Sequence, residues 1–258
     1  MSSSANSFSS CVPNLWTFDD WAQFRMRVSA PHLMPTIDAV TSIPSATSLT
    51  PFDKRLQSTS ANREIVHFYI EDSRFRSVLV NPVTCTSSLS EFAAVIGPDV
   101  SPYASHTGFM RATSIWYGRA ITAFWQVHGL KVIPNIRWIE DSDLDFALCG
   151  VPSESILALS TLGVSRTRQQ RSCLRKGIER IISEKSPTRI VVHGIDRDDI
   201  FGGFRESTHF DFHTPRIHEV YSNARPSNGY AGWRNRQDSQ GARQRSVAGE
   251  HHSSRVGI

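Results

Sequence analysis

The amino-acid sequence predicts an α/β fold built on a mainly parallel sheet, and three observations point to it. Short apolar runs typical of buried strands recur along the chain, as at residues 93–97 and 131–134. Helical apolar periodicity occupies residues 112–127 between them, and Gly129 is typical of a helix stop. Such strand, helix, strand units are almost always right-handed with parallel strands. The predicted architecture is therefore a TIM-type barrel, complete or incomplete, or a doubly wound sheet.

Further segments have the same character. Residues 66–70, 156–160 and 189–192 are short β-prone or wholly apolar runs, and each predicts another strand. Residues 168–183 carry an apolar helical face, which predicts a helix between the last two of these strands. Residues 146–150 fit a short helix or a strand, and we favour the helix.

Length and composition indicate one domain between two polar ends. At 258 residues the chain can bury a substantial core. Its ends are rich in Ser, Pro, Gly, Asn and Arg, so we predict a disordered N-terminus at 1–14, a single α/β domain at 15–216 and a disordered basic tail at 217–258. Residues 41–62 are predicted to form a surface connection, because Ser, Thr and Pro dominate there.

The net charge of +4 comes from the tail. Residues 224–258 contain six arginines and two acidic residues, which leaves 22 basic and 22 acidic residues in the rest of the chain. The sequence pI near 9.0 is thus no evidence that the domain binds nucleic acid.

Several classes of protein are disfavoured. The four cysteines lie far apart without a Cys-x-x-Cys pair, as in reduced cytosolic proteins, and no apolar run approaches the roughly 18 residues of a membrane span. A Walker A loop, a Gly-x-Gly-x-x-Gly loop, a Gly-x-Ser-x-Gly elbow and a His-Glu-x-x-His motif are all missing. We predict a cytoplasmic protein with no membrane partner, and no cofactor can be assigned.

Polar residues follow each predicted strand. Parallel strands bring their carboxyl ends to one edge of the sheet, where α/β proteins place their ligands, so these residues should converge into one site. Ordinary solvated loop chemistry is the alternative. The predicted set is Asp72, Asp99, Ser101, Tyr103, Asn135, Arg137, Trp138, Ser160, Thr161 and His193.

Three of these residues are predicted to be catalytic. Asp99 is the first choice for general acid/base or metal-ligand work, because Pro98 stiffens the backbone that carries it. An Asx turn or a helix cap is its structural alternative. Asp72 is the second carboxylate, and His193 could shuttle protons unless it is simply a hydrogen-bonded core histidine.

The other members are predicted to bind substrate, together with Arg119. Arg137 suits a carboxylate or a phosphate, and Trp138 could stack on a base or a sugar. Pairing of Arg137 with Asp141 or Asp143 is the alternative. Arg119, in the long helix, could anchor a buried carboxylate such as Asp99 or extend to solvent. Ser101, Tyr103, Asn135 and Thr161 complete the predicted binding residues.

Two segments carry separate hypotheses. His209, Asp211 and His213 alternate, so on a strand they would share one face as a metal triad, or form the outward side of an edge strand. Residues 165–185 contain seven basic side chains against Glu179 and Glu184, which fits a nucleic-acid contact or a solvated helix face.

An ordered series of short motifs resembles the DUF4417 family of bacteria, their phages and mobile elements. The series covers residues 15–201 and includes Phe18-Asp19-Asp20, Phe68-Tyr69 with Asp72, Gly97-Pro98-Asp99-Val100-Ser101-Pro102-Tyr103, Ile133-Pro134-Asn135-Ile136-Arg137-Trp138, Leu159-Ser160-Thr161 and Val192-His193-Gly194. The resemblance implies a compact intracellular α/β domain, often encoded on mobile DNA, and no established reaction. The family's usual phenylalanine is Val100 here, and a common tyrosine is His193, which weakens a catalytic role for His193.

Three functional hypotheses remain. The first is an enzyme that binds a phosphate-bearing or other anionic small molecule at the strand ends. The second is a non-catalytic nucleic-acid accessory protein of a phage or mobile element, which would use residues 166–185 and the tail. The third is a degenerate barrel that serves only as a scaffold. The sequence does not predict the oligomeric state.

Overall fold

A computed structural model describes residues 26–43 and 48–215 of the chain. The predicted disordered N-terminus at 1–14 and the predicted basic tail at 217–258 lie outside the described residues.

The described chain alternates strands and helices as predicted. The strands are β1 Val28–Ser29, β2 Met34–Pro35, β3 Ser48–Pro51, β4 Glu64–His67, β5 Ala94–Ile96, β6 Val132–Ile133, β7 Ile156–Ser160, β8 Arg189–His193 and β9 Phe210–His213. The α-helices are α1 Arg76–Val80, α2 Thr86–Ser90, α3 Gly108–Val127, α4 Leu144–Leu148, α5 Arg168–Lys185 and α6 Asp198–Phe201. Short 3-10 turns lie at Phe52–Gln57, Ala61–Arg63, Asp72–Phe75, Pro82–Cys85 and Asp141–Asp143.

The main strands are all parallel, which confirms the predicted direction. β3, β4, β5 and β6 form one sheet in that order, and β7, β8 and β9 form another. A single parallel bridge between Asn135 and Ala158 joins β6 to β7. The short strands β1 and β2 pair separately and antiparallel.

The parallel strands curl around an inner core. Ile65 on β4 and Val191 on β8 belong to one buried cluster, although β5, β6 and β7 lie between those strands in pairing order. The ring centroids of His67 and His193 are 4.6 Å apart across the same interior. Four steps of about 4.8 Å across a flat sheet would separate these strands by about 19 Å. The sheet is therefore strongly curved.

The two longest helices cover the outer face. In α3, the side-chain oxygen of Thr107 accepts from Met110 N at 3.3 Å, and Gly129 adopts a φ of 84° beyond the last turn. In α5, Thr167 and Gln170 form a capping box. Apolar stripes on both helices are buried against the strands, and each fully buried side chain contributes about 2 kcal/mol through the area it removes from water.

Two expectations about local structure have clear outcomes. The prediction of a plain surface connection at 41–62 is wrong for Ser48–Pro51, which pairs with β4 as a strand. Backbone hydrogen bonds alone can hold an edge strand, so its Ser and Thr residues gave no apolar signal. The helix favoured at 146–150 is present as Leu144–Leu148. Within the described segments, no helix combines the length and apolarity needed to cross a bilayer.

Candidate functional site

A cavity of about 630 Å³ lies at the carboxyl ends of the parallel strands. Seven of the ten residues predicted at the strand ends line it, namely Asp72, Asp99, Ser101, Tyr103, Arg137, Trp138 and Ser160. Residues that were not predicted complete the wall, including Tyr69, Glu71, Leu162, Val164 and Leu174. The parallel topology thus brings side chains from four strand ends and from α5 to one place.

Asp72 begins the 3-10 turn that follows β4. Its carboxylate accepts hydrogen bonds from the Ser101 backbone N–H at 3.3 Å and from Ser101 Oγ at 2.8 Å. Burial raises the pKa of Asp72 to about 6, against the opposing effect of the Ser101 hydrogen bonds and with a smaller contribution from the charge of Asp99. Asp72 therefore exchanges its proton close to neutral pH, as a general acid or base must.

Asp99 is buried more deeply and is held by two polar partners. Its Oδ1 accepts from Asn135 Nδ2 at 3.0 Å, and Arg137 Nε lies 3.9 Å away. Asn135 in turn accepts a 3.0 Å hydrogen bond from the Tyr69 hydroxyl. Gly118 on α3 lets the helix approach the turn that carries Asp99, because a Cβ there would lie 2.5 Å from the Pro98 carbonyl oxygen.

Arg137 contributes a positively charged side chain to the cavity wall. Its Nη1 donates a long 3.5 Å hydrogen bond to the Ser160 carbonyl oxygen. Its Nε is buried and has no hydrogen-bond partner among the residues the structure describes. The alternative in which Arg137 pairs with Asp143 is wrong, because Arg111 Nε donates to both Asp143 oxygens at 2.9 Å. Pairing with Asp141 is absent from the described ion pairs as well. The guanidinium thus retains unused hydrogen-bonding capacity beside open space.

His193 lies beneath the cavity and does not line it. Its ring stacks on Tyr69 with centroids 4.9 Å apart, and Ser160 Oγ lies 3.4 Å from Nδ1. The neighbouring His67 was not predicted as a site residue, although Ile65, His67 and Tyr69 alternate along β4 and the residues just after it, as side chains on one face do. These histidines are part of the inner core.

Two other predicted binding residues lie away from the cavity. Thr161 is buried against Gly194, whose added Cβ would meet Thr161 Oγ1 at 2.0 Å. Arg119 is also buried, and it donates to the carbonyl oxygens of Ala147 at 2.7 Å and Cys149 at 2.9 Å. Within the described ranges Arg119 therefore neither reaches a carboxylate nor extends to solvent, which differs from both structural interpretations made from the sequence. Burial lowers its pKa to about 10, so it stays charged at neutral pH.

The predicted metal triad does not assemble. His209 Nε2 lies 2.9 Å from Asp211 Oδ1, but no group of three or more His, Cys, Asp or Glu side chains is placed to hold a metal within the ranges 26–43 and 48–215. The alternative placed these polar residues outward on an edge strand. β9 is indeed at the edge, but Asp211 and His213 pair in register with Val191 and His193, whose side chains face the inner core.

Much of the basic run on α5 is engaged inside the fold. Arg171 forms an ion pair with Asp199, and Arg180 pairs with Asp145 and Glu184. Arg175 lies over the Phe204 ring, and Lys185 Nζ donates to a backbone oxygen at 3.1 Å. Four of the seven basic side chains therefore already have intramolecular partners.

Comparison with known proteins identifies the family. A family model described as "Domain of unknown function (DUF4417)" matches residues 26–211, most of the chain. The chain belongs to the DUF4417 family. The resemblance inferred from the short motifs is thereby confirmed. All residues lining the cavity of this DUF4417 chain lie inside the matched region, whereas His213 lies beyond its end.

The DUF4417 chain is also similar to curated phage proteins. It is 21% identical over 166 residues to the Gene 1 protein of Mycobacterium phage D29, which covers 64% of this chain and 62% of that protein. It is 22% identical over 166 residues to the Gene 1 protein of Mycobacterium phage L5, covering 64% of this chain and 72% of that protein. The chain therefore spans less than two thirds of the D29 relative. No solved structure matches it.

Proposed function

We propose that this DUF4417 protein is an enzyme that binds a phosphate-bearing or other anionic small molecule in the cavity at its strand ends. One observation carries the proposal: a carboxyl group that titrates near neutral pH and a guanidinium with unused donors line the same cavity. Structural ion pairs usually satisfy both partners fully, and strongly perturbed titratable groups in a cleft are more frequent at functional sites.

The proposed roles follow from the hydrogen bonds. Arg137 holds the ligand anion, because it is the cation whose donors remain available beside the cavity. Asp72 is the general acid/base, because its pKa of about 6 permits proton transfer at neutral pH. Asp99, first choice from sequence, becomes the positioning residue that orients Asn135 and Arg137.

The proposal extends to the architecture and the setting. We describe the curved sheet as an incomplete TIM-type barrel, supported by the inner core that β4 and β8 share. Within the described part of the chain, no pairing joins β9 to β3, which leaves the barrel open there. The phage relatives favour a phage or related mobile element as the source, with the protein acting in the cytoplasm of the bacterial host.

A ligand screen followed by a turnover assay tests the enzyme proposal. Thermal unfolding is measured with inorganic phosphate, citrate, sugar phosphates and nucleoside monophosphates, since a ligand that binds only the folded state raises Tm. We expect at least one of them to raise Tm in the natural protein and in Arg197→Gln, a surface control, and not in Arg137→Gln.

Turnover of the compounds that bind is then followed by NMR. Asp72→Asn should retain Arg137-dependent binding of the anionic group and should abolish consumption of the compound even at saturating concentration, because the proton-transfer group is removed. Absence of any Arg137-dependent binding would refute the proposal, as would turnover that Asp72→Asn leaves intact.

The accessory-protein hypothesis predicts a different result. Binding to an oligonucleotide should weaken steeply as salt rises, because phosphate contacts release counterions. The internal pairing of Arg171, Arg175, Arg180 and Lys185 argues against such a surface on α5. Salt-dependent DNA or RNA binding without any Arg137-dependent anion binding would favour this hypothesis over the enzyme.

A further inference from the structure

The charges around the cavity do not balance. Among the residues that the structure describes, three carboxylates, Glu71, Asp72 and Asp99, and one guanidinium, Arg137, are the charged side chains that line it. A ligand that is only an anion would bring further negative charge into a partly buried space that already has an excess of it. Like charges in such a space repel more strongly than they do in water, because the local dielectric is lower.

Two of the three carboxylates lie together. Glu71 and Asp72 are adjacent in the turn after β4, and both of them, with Asp99, raise the pKa of the Tyr103 phenol after the larger effect of burial. Tyr103 is half exposed and also lines the cavity. We refer to Glu71, Asp72 and Tyr103 as the acidic corner.

Arg137 belongs to a different part of the wall. It follows β6, next to Trp138, and its nearest acid is Asp99 at 3.9 Å. Leu162, Val164 and Leu174 supply an apolar surface in the same cavity. The cavity therefore offers an anion-binding group, an apolar wall and a cation-binding corner.

We propose, building on the proposed function, that the natural ligand is zwitterionic: an oxyanion on Arg137 and a protonated amine in the acidic corner. The amine offsets the excess negative charge, and it can donate to the Asp72 carboxylate and lie against the Tyr103 ring. A small aminoalkyl phosphate or an amino acid with its amine distant from the carboxylate has this chemistry.

Matched compounds test the need for each charge. One series is O-phosphoethanolamine, 2-hydroxyethyl phosphate and ethanolamine, and the other is 5-aminovalerate, valerate and pentylamine. Isothermal titration calorimetry at pH 7.5 and low salt gives the dissociation constants. We expect the zwitterion of at least one series to bind about tenfold more tightly than either partner, since a charge-assisted hydrogen bond contributes about that factor.

Two cavity variants assign the charges to residues. Asp72→Asn should reduce the affinity for the zwitterion to within about twofold of that for its anionic partner, and Arg137→Gln should reduce it to that for the amine. The control Asp145→Asn removes an exposed carboxylate that pairs with Arg180 outside the cavity, and should change neither.

The outcomes separate this inference from the proposed function. If the anionic partners bind as tightly as the zwitterions, and do so through Arg137, the zwitterion inference is wrong and the proposed function stands. If the amines alone bind as tightly as the zwitterions, with no effect of Arg137→Gln, the zwitterion inference is wrong, and the anion screen decides the proposed function. Absence of binding by every zwitterion also overturns the inference, and the anion screen then decides the proposed function independently.

Discussion

The contact between α3 and α4 and the cavity at the strand ends each contain an arginine, fully buried in the first and partly buried in the second, and the hydrogen bonding of the two differs. Arg119 donates to two backbone carbonyl oxygens at 2.7 and 2.9 Å. Arg137 has a carboxylate 3.9 Å away, one long bond and a buried Nε without a partner among the described residues. Both arginines were predicted from sequence to bind ligand, but their hydrogen-bond partners in the structure differ.

The difference shows how a structural charge can be distinguished from one available for binding. A buried guanidinium is costly unless its donors are used, and both terminal nitrogens of Arg119 donate to carbonyl oxygens at the end of α4. Leaving N–H donors of Arg137 without hydrogen-bond partners lowers the stability of the fold. Such a loss of stability is common at sites where a bound ligand supplies the missing hydrogen bonds. Removing the arginine should therefore destabilise the first region much more than the second.

The largest expected effect belongs to Arg119. Arg119→Met leaves the Ala147 and Cys149 carbonyl oxygens without their donor, and should lower the free energy of unfolding by about 2 to 4 kcal/mol. Arg137→Met should change it by less than about 1 kcal/mol, because few good bonds are lost. Urea unfolding measures both. An equal loss in the two variants would contradict the distinction drawn between them.

A smaller effect is expected at Gly177 in α5. A Cβ there would lie 2.3 Å from the Trp138 ring, so Gly177→Ala must displace the indole that lines the cavity. We expect a loss of about 2 kcal/mol in unfolding free energy, as overpacking usually causes, with weaker ligand binding. Gly129→Ala is the control, because it strains a positive φ of 84° in open space outside the cavity and does not move Trp138. Calorimetric binding that survives in Gly177→Ala would show that the position of Trp138 is unimportant.

The smallest effect is the pH dependence from Asp72. Its folded pKa of about 6 lies above the ordinary value of 3.8, so the folded state binds the proton more tightly and stability falls as pH rises from about 4 to 6. Asp72→Asn removes this loss, and should be more stable than the natural protein by about 1 to 2 kcal/mol at pH 7.5 and equally stable at pH 4. Urea unfolding across this pH range measures the difference. A variant less stable at pH 7.5 would mean that Asp72 supports the fold.

The main strands, the long helices and the direction of the strands could be predicted from the apolar patterns in the sequence. The apolar runs located the main strands and both long helices, and the parallel direction brought Asp72, Asp99 and Arg137 together as expected. That inference needed no tertiary detail, because parallel strands share one carboxyl edge. β3 was missed, since an edge strand rich in Ser and Thr lacks an apolar pattern.

Side-chain partners were the unpredictable part. The partners of Arg119 could not be predicted, because its acceptors are backbone oxygens about 30 residues away and a carbonyl group leaves no signature in sequence. The proposal of Asp72 rather than Asp99 as the proton-transfer group likewise depends on burial and hydrogen bonds that only packing determines. Leu162, Val164 and Leu174 joined the wall because of how α5 packs over the strand ends.

The position of Asn135 connects ligand binding to the stability of the contact between the two sheets. It forms the single bridge between the two sheets and also donates to Asp99. A molecule bound in the cavity, between the turn after β4 and the start of α5, would therefore link the two sheets across this bridge. Ligand binding should make the two sheets unfold as one cooperative unit. The Ala158 N–H donates to Pro134 O between the two sheets, and its hydrogen exchange should slow when the ligand is bound.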